Sequence, residues 1–263
     1  MDLGLKDKIA LVTGSSRGLG YAAASQLARE GCKVAINGRD EGKIKATAEK
    51  LARETGTQVI GLVGDVSDAS APGQLIEQTV QAFGGLDILV TNASGPASGS
   101  IEALDESAWQ KGIDLSLMAH IRLIKAALPH LRKSKSASVL TVTSYSVKQP
   151  IPNLLISNSV RAATVGLTKS LALELGRDGI RLNSILPGWT ATERVTEIMT
   201  ARAKNNHSSV EEEFARQTAD IALGRMARPE EFANAAVFLV SPAASYITGV
   251  MLQVDGGVVK GTL

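Results

Sequence analysis

The sequence is poor in residues that crosslink a chain or bind metals, and it carries no marked excess of either charge. Its single cysteine, Cys32, excludes an internal disulfide and is expected to be a small buried residue at the start of a strand. The three histidines, His120, His130 and His207, show no spacing typical of a metal site. With 28 basic and 26 acidic residues, the net charge is +2 and the cations are dispersed, which argues against nucleic-acid or membrane partners.

The chain also lacks a recognisable signal peptide and a membrane-length apolar run. Asp2, Lys6, Asp7 and Lys8 lead directly into the first apolar segment, and no apolar stretch approaches the length of a transmembrane helix. We therefore expect a cytoplasmic protein. Because 44% of the 263 residues are hydrophobic, the chain can bury a sizeable core and form one large α/β domain over residues 1–263.

A glycine-rich turn between a strand and a helix organises the N-terminal half. The apolar run Ile9 to Val12 predicts a buried parallel strand, and an amphipathic helix pattern follows the turn. Gly14 permits a tight turn, Gly18 lets the backbone approach an anion, and Gly20 lets the helix pack closely on the strand. The turn and the helix N-terminus together predict a pyrophosphate-binding site, with an ordinary strand-to-helix turn as the alternative.

Strand-like and helix-like segments alternate along the remaining chain with short connections. This alternation predicts right-handed crossovers and a Rossmann-type α/β fold, in which a doubly wound, mostly parallel seven-stranded sheet has helices on both faces. The predicted strands are residues 9–12, 32–37, 58–63, 87–91, 138–143, 180–186 and 250–254. Among the predicted helices, those at 109–132 and 155–176 are the longest, and the first shows an apolar stripe at Leu117, Ile121, Ile124, Leu128 and Leu131.

One connection is too long for a simple crossover. No strand is predicted between Pro187 and Gly224, but Ser209 and Glu212 form a capping-box pattern at the start of a helix. We expect this segment, residues 189–224 and called the flap below, to be a mobile cover over a substrate, with a merely packed surface excursion as the alternative.

The end of the second predicted strand indicates which dinucleotide binds. An acidic residue there would bind the ribose 2′-hydroxyl of NAD, whereas a basic residue accommodates the 2′-phosphate of NADP. The strand ends at Asn37-Gly38-Arg39 without an acid at its tip, and Arg17 supplies a second cation nearby. These residues favour NADP(H) over NAD(H), although Arg39 could instead be a solvated loop charge.

The G-x-x-x-G-x-G spacing after Thr13 resembles that of the short-chain dehydrogenase/reductase family. Asn92-Ala93-Ser94-Gly95, Pro187-Gly188, Tyr246 to Gly249 and Val254 to Gly257 extend the likeness over essentially the whole chain. Within the family, the chain looks like the 3-oxoacyl-[acyl-carrier-protein] reductase-like branch. The resemblance implies the fold predicted above, a nicotinamide dinucleotide, and a homodimer or homotetramer paired through the two long helices.

The resemblance also implies which residues contact the cofactor. Asp65 would bind the adenine edge, Asn92 would brace the central strand and Ala93 would lie against the adenosine ribose. The full expected set is Gly14, Ser16, Arg17, Gly18, Leu19, Gly20, Arg39, Asp65, Val66, Asn92, Ala93, Arg161, Pro187, Gly188 and Thr192.

The active-site pattern of that family is only partly present. In the family a serine polarises the substrate carbonyl, a tyrosine exchanges a proton with it, a lysine holds the nicotinamide ribose, and a helical asparagine anchors a water. Ser144 keeps the serine position. Ser157 stands at the tyrosine position and Arg161 at the lysine position, while Asp114 is read at the asparagine position.

These replacements remove the usual acid. Ser157 is shorter than tyrosine and a far weaker acid, and an arginine such as Arg161 does not release a proton at usable pH. The loss of a positioned acid typically costs about 10²- to 10⁴-fold in rate. Tyr145, with Lys148 three residues later, is a candidate substitute, and so is Asp114 if its pKa were raised; Tyr145 equally suits the lining of a pocket mouth.

Two functions fit this sequence. The first is an NADP(H)-dependent oxidoreductase with an altered proton relay, acting on a small carbonyl or alcohol compound, with a 3-oxoacyl-like substrate as one candidate. The second is a catalytically impaired NADP(H)-binding protein that acts as a sensor or scaffold. We favour the oxidoreductase because Ser144, the Pro187-Gly188 loop and a full-length flap have little use in a nucleotide holder.

Overall fold

A seven-stranded parallel sheet forms the centre of the computed structural model, which describes residues 1–262. Every pair of neighbouring strands is parallel, and the order across the sheet is β3-β2-β1-β4-β5-β6-β7. This arrangement confirms the predicted Rossmann-type fold. The strands are β1 (Ile9–Val12), β2 (Lys33–Gly38), β3 (Val59–Val63), β4 (Ile88–Thr91), β5 (Ser138–Val142), β6 (Arg181–Pro187) and β7 (Met251–Val254).

Helices cover both faces of the sheet. Alternation of side chains along each strand divides the core in two, so that Ala10 and Val12 of β1 face one helical layer and Leu11 faces the other. The first layer contains α1 (Gly18–Arg29), α2 (Glu41–Thr55) and α9 (Pro229–Val240). The second contains α3 (Ala71–Phe83), α5 (Ala119–Leu131) and α6 (Leu155–Leu175), with α4 (Glu106–Ile113) leading into α5. In the described residues, no helix is both long and apolar enough to span a membrane.

The order of the strands places the ligand-binding crevice. The chain winds outward from β1 to β3 and then returns to the other side of β1 with β4, so β1 and β4 are neighbours at the point where the winding reverses. Ligands bind beyond the carboxyl ends of the strands at such a switch point. The glycine loop (residues 14–20) follows β1, and Asn92 follows β4, so both lie at this edge.

The long helix predicted at 109–132 is interrupted by a π turn at Asp114–Met118. The turn inserts one residue into the helical register, which rotates the buried face of the following helix. As a result His120, Leu123 and Ala127 are buried, whereas Leu117 and Ile121 of the predicted apolar stripe are only partly covered.

The flap folds as two helices, α7 (Glu193–Asn206) and α8 (Val210–Ala219). Ser209 and Glu212 form the predicted capping box, since each side chain accepts a hydrogen bond from the other's main-chain N–H at 3.1 Å. The flap has a small apolar core of its own, formed by Trp189, Val195, Met199, Ile221, Met226 and Val258 together with Tyr145.

Candidate active site

Close packing explains two of the three glycines of the loop after β1. A Cβ on Gly14 would lie 2.8 Å from the main-chain oxygen of Asn92, and a Cβ on Gly20 would lie 2.4 Å from the oxygen of Gly14. Gly18 has a φ of 61°, which favours glycine, and a Cβ there would meet only Thr192 Cγ2, at 3.9 Å. Gly18 therefore lines an open cleft, whereas Gly14 and Gly20 hold its wall in place.

The start of α1 is chemically suited to an anion. Its N-cap residue is Arg17, and within residues 1–262 no side chain accepts a hydrogen bond from the first turn of the helix. The same holds for α7, whose N-cap Thr192 faces Gly18 across the cleft. Unsatisfied N–H groups of a helix N-terminus bind phosphate oxygens, so the cleft fits the pyrophosphate of a dinucleotide.

Asn92 holds the glycine loop against the end of β4. Its Nδ2 donates to the main-chain oxygens of Thr13 at 3.3 Å and Gly14 at 2.9 Å. In return, the Thr13 hydroxyl donates to the Asn92 oxygen at 2.8 Å and accepts from the Asn92 N–H at 2.9 Å. These bonds tie the ends of β1 and β4 together at the switch point.

Asn37 has a role that sequence reasoning missed. It is almost fully buried, its Oδ1 accepts from the Gly14 N–H at 3.2 Å, and its Nδ2 donates to the oxygens of Leu62 at 3.3 Å and Gly64 at 3.0 Å. It thus ties the glycine loop to the end of β3. The sequence did carry a signal for this role. Near the end of β2, where an acidic or basic residue is expected to select the cofactor, it has an asparagine, whose amide can both donate and accept hydrogen bonds.

The two cations expected near the 2′-phosphate have different partners. Arg39 is exposed, with Nη1 3.7 Å from an oxygen of Asp65. Arg17 donates at 2.9 Å to Glu197 of α7, which also lies 3.4 Å from Arg194. Arg17 therefore links the glycine loop to the flap.

Asp65 remains a charged acceptor at the end of β3. Partial burial raises its pKa, but hydrogen bonds from the hydroxyl and N–H of Ser67, together with Arg39, outweigh that effect and leave the pKa below its ordinary value.

Four further predicted cofactor residues lie around the cleft. Ser16 lies beside the tip of β2, because a Cβ on Gly38 would come within 3.3 Å of Ser16 Cβ. Leu19 packs against the first core, and Val66 and Ala93 pack against the second.

The loop after β6 forms the opposite wall of the cleft. Pro187 pairs with Val254 in the sheet, and the Gly188 N–H donates to the Val254 oxygen at 2.9 Å. A Cβ on Gly188 would lie 2.6 Å from Cα of Asp255, so the close approach of these two segments requires glycine.

Arg161, which the sequence places at the family's lysine position as an expectation, is a buried arginine. Arg161 of α6 is 9% exposed, and its Nε donates to Ser157 Oγ at 3.1 Å. Its Nη1 donates to the main-chain oxygens of Val142 at 3.2 Å and Thr143 at 3.0 Å, at the end of β5. No carboxylate of residues 1–262 forms an ion pair with it, and burial lowers the pKa of Arg161 to about 10.

Ser144 retains a donor for a substrate oxygen. Its Oγ accepts from the Ser146 N–H at 3.1 Å, capping the short 3₁₀ turn Tyr145–Val147. A serine hydroxyl that accepts one bond still carries its own hydrogen, which is free to polarise a carbonyl.

Neither candidate substitute acid has its pKa shifted in the direction that proton donation requires, which is downward for Tyr145 and upward for Asp114. The Tyr145 oxygen accepts from Trp189 Nε1 at 2.9 Å inside the flap core, and burial raises the Tyr145 pKa despite that bond. Asp114 accepts from Gln110 at 2.9 Å and from Arg122 at 3.1 Å. The Gln110 bond, aided by Arg122 and opposed by burial, lowers the Asp114 pKa, so the raised pKa that a proton-donating Asp114 requires is not found.

Ser116, not Asp114, faces α6 from the π turn. Its main-chain oxygen accepts from Thr164, one turn after Arg161, and its buried hydroxyl has no hydrogen-bond partner in the described part of the chain. The sequence carried no signal of the π turn, so sequence reasoning could not place Ser116 against α6.

This geometry defines a class: an α/β protein in which a glycine loop and two helix N-termini form a cleft suited to a dinucleotide. Comparisons with known proteins agree. A family model described as Enoyl-(Acyl carrier protein) reductase matches residues 14–259. Human dehydrogenase/reductase SDR family member 4 is 35% identical over 254 residues, covering 96% of this chain and 88% of that protein.

Two solved structures are similar over nearly the full chain. L-sorbose reductase from Gluconobacter frateurii, complexed with NADPH and L-sorbose, is 32% identical with a TM-score of 0.95, covering 99% of this chain and 100% of that one. An NADPH-bound short chain oxidoreductase from Pseudomonas aeruginosa PAO1, described as containing an atypical catalytic center, is 29% identical with a TM-score of 0.87, covering 98% and 100%.

The chain therefore belongs to the short-chain dehydrogenase/reductase family, as its motifs predicted. It is an NAD(P)-dependent oxidoreductase.

The buried His120 behind this site yields a prediction for acid stability. Its Nδ1 lies 2.7 Å from Thr91 Oγ1, and burial, followed by the charge of Arg161, lowers the His120 pKa to about 3. The unfolded state binds a proton at about pH 6.5 and the folded state does not, so stability is lost as pH falls from about 6.5 towards 3. His120→Gln should reduce the slope of unfolding free energy against pH in this window by up to about 1.4 kcal/mol per unit.

Urea unfolding of the wild type and His120→Gln between pH 4 and 7 measures that slope. His207→Gln, at an exposed helix end, controls for loss of a histidine elsewhere. Equal slopes for wild type and His120→Gln would contradict the assignment.

Proposed function

We propose that this protein reduces a small carbonyl compound with NADPH, and that Ser157 and Arg161 together replace the tyrosine and lysine of the family as the proton relay. The observation that carries the proposal is the 3.1 Å bond from Arg161 Nε to Ser157 Oγ. Burial lowers the pKa of the Arg161 guanidinium to about 10, which makes it a stronger acid than an arginine in water.

Each residue has a definite task in this relay. Ser144 Oγ–H donates to the substrate oxygen and polarises the carbonyl. When bound, the nicotinamide supplies the hydride to the carbonyl carbon. Ser157 Oγ then gives its proton to the developing alkoxide and takes one from Arg161 Nε, so that the serine is never left as a free alkoxide. The oxygens of Val142 and Thr143 hold the guanidinium in position throughout.

The similar solved structures support both parts of the proposal. L-sorbose reductase was solved with NADPH, and the Pseudomonas oxidoreductase with NADPH and an atypical catalytic center. The family model, described as an enoyl-(acyl carrier protein) reductase, keeps a 3-oxoacyl-like substrate as a candidate within the same reaction class.

The second candidate function is an NADP(H)-binding sensor or scaffold. The observation that favours it is that the two other potential acids already have hydrogen-bond partners. Tyr145 accepts a hydrogen bond from Trp189, and Asp114 accepts one from Arg122. If Ser157 and Arg161 do not move a proton, these contacts leave the site without an acid.

NADPH oxidation over a panel of carbonyl compounds tests the relay. Ser157→Ala should lower kcat by about a hundredfold or more, because the proton then has no path from Arg161, while NADPH affinity measured by fluorescence stays unchanged. In the wild type, the reduction rate should fall as pH rises above about 10, since Arg161 must be protonated to donate.

Two further variants decide between the candidate functions. Ser159→Ala on the exposed side of α6 is the matched control and should behave as wild type. If the wild type is silent while the Ser157→Tyr/Arg161→Lys double variant gains activity, the sensor or scaffold function replaces the reductase.

We also propose a preference for NADP(H), supported by Arg39 beside Asp65 and by Arg17 at the glycine loop. Arg39→Ala should lower the affinity for NADPH by about tenfold or more and leave the affinity for NADH nearly unchanged, because a charge-assisted bond to the 2′-phosphate is lost. Titrations of both cofactors measure this, with Arg53→Ala on the exposed side of α2 as control. Equal weakening of NADPH and NADH would argue against a 2′-phosphate contact.

A homodimer or homotetramer is proposed from the outer face of α6. Ala162, Ala163, Gly166, Ser170 and Leu173 are exposed there, and Leu173 is 76% exposed. A large apolar residue beside small ones allows two helices to approach closely.

Gly166→Arg should break this association without unfolding the chain, because a Cβ at Gly166 meets no other atom within 4 Å. Gly73→Arg on α3, equally unobstructed, is the control. Analytical ultracentrifugation should give a lower mass for Gly166→Arg than for wild type and Gly73→Arg. A wild-type mass equal to one 27.5 kDa chain would refute the pairing.

A further inference from the structure

A cavity of about 510 Å³ lies between the flap and the loop that leaves the active site. This flap cavity begins at Tyr145, the residue directly after Ser144, and extends along residues 149–153. Its other wall comes from α7, α8 and the residue that ends α8, Asp220. The volume lies within the range of small-molecule pockets.

The loop wall of the cavity is rigid and largely carbon. It contains Pro150, Ile151 and Pro152. Asn158 fixes its middle residue, because Asn158 Oδ1 accepts from the Ile151 N–H at 3.3 Å and Asn158 Nδ2 donates to the Ile151 oxygen at 3.0 Å. Asn153 has a φ of 62°, and its main-chain oxygen accepts from Gly99 at 2.8 Å. A non-glycine residue in this region is retained where the surroundings fix it, so the wall is preformed.

The flap wall is polar and also fixed. Arg202 donates to Gln217 at 2.7 Å, and its guanidinium lies 5.4 Å from the ring centre of Trp189. Trp189 in turn donates to the Tyr145 oxygen at 2.9 Å. The contacts form a continuous chain from α8 to the residue beside Ser144.

Several hydrogen-bonding groups on these walls remain available to a ligand. Because the Tyr145 oxygen accepts from Trp189, its own O–H hydrogen must point elsewhere, and the described residues offer it no acceptor. Within residues 1–262, the side chains of Asn153, Asn205 and Asp220 likewise form no hydrogen bond. The cavity thus offers donors and acceptors in similar number.

Two cations and two carboxylates surround the cavity, so its charges balance. Arg202 lines it and Lys260 lies at its edge, where Lys260 Nζ donates to the main-chain oxygen of Asp220 at 2.8 Å, while Asp220 and Glu213 are the lining carboxylates. Glu213 is already paired with Arg216 at 2.7 Å. A carboxylate or phosphate ligand would approach Asp220 unfavourably, and an acyl chain would desolvate the amides and Asp220 without replacing their bonds to water.

From these features we infer that the flap cavity binds a neutral, hydroxyl-rich carbon skeleton, such as a polyol or a ketose, with its hydroxyls on the flap wall and its carbons on the proline loop. The inference rests on the proposed reductase function, since the skeleton is the body of the substrate whose carbonyl lies at Ser144. Asn205, Asp220 and Tyr145 would select for hydroxyls.

Saturation-transfer NMR on the NADPH-loaded protein tests this with four probes: a ketohexose, a hexitol, 2-hexanone and hexanoate. The ketohexose and the hexitol should bind, and 2-hexanone and hexanoate should bind at least tenfold more weakly. Asn205→Leu and Asp220→Leu should each lower the affinity for the hexitol about tenfold, whereas Asn234→Leu on the exposed side of α9 should leave that affinity unchanged. Asn205→Leu should also raise KM for the ketohexose with little change in kcat.

Because the hexitol has no carbonyl, its binding is independent of turnover. Two results together support the inference. The hexitol binds the wild type and binds both cavity variants more weakly, and it inhibits ketohexose reduction competitively. If the ketohexose is not reduced at all but the hexitol binds as described, the cavity inference stands and the reductase proposal fails. Tighter binding of 2-hexanone or hexanoate, non-competitive hexitol inhibition, or insensitivity to both variants overturns the cavity inference while leaving the reductase proposal intact.

Discussion

The contact between the glycine loop and Asn92 is the constraint on which the cofactor cleft depends. Gly14 and Gly20 approach each other and Asn92 so closely that a single added Cβ would collide, and Thr13 and Asn92 exchange hydrogen bonds across the ends of β1 and β4. Asn37 extends the same network to β3. Three strand ends are thereby fixed relative to α1, whose N-terminus must meet a phosphate with little freedom to adjust.

A second constraint is the buried cation of the active site. A guanidinium removed from water without a carboxylate partner is costly, and Arg161 is stabilised only by two strand-end oxygens and Ser157. That arrangement makes the arginine a better acid than one in water, because burial disfavours its charged form. The same charge reaches His120, which helps keep its imidazole neutral.

The flap is connected to both ends of the active cleft. Glu197 of α7 pairs with Arg17 at the glycine loop, and Arg202 of the same helix reaches Tyr145 through Trp189. Side chains of α7 therefore link the flap both to the glycine loop and, through Trp189, to the residue beside Ser144. Arg17 and Glu197 are both about half exposed, and an exposed ion pair of this kind contributes little stability by itself.

The sequence alone determined the fold, because alternating apolar strands and amphipathic helices with short connections admit few topologies, and all seven strands lie within one or two residues of their predicted bounds. It also determined the glycine loop and the capping box at Ser209, since these are local patterns.

Only the tertiary structure decided the side-chain environments. The π turn rotated a helix face and brought Ser116, not Asp114, against α6, and burial lowered the pKa of Arg161 below that of an arginine in water. Tyr145 turned towards the flap and Arg17 towards Glu197, because partners distant in sequence competed for their polar groups. Burial, helix register and hydrogen-bond partners arise from contacts between distant segments, and no local pattern of residues encodes them.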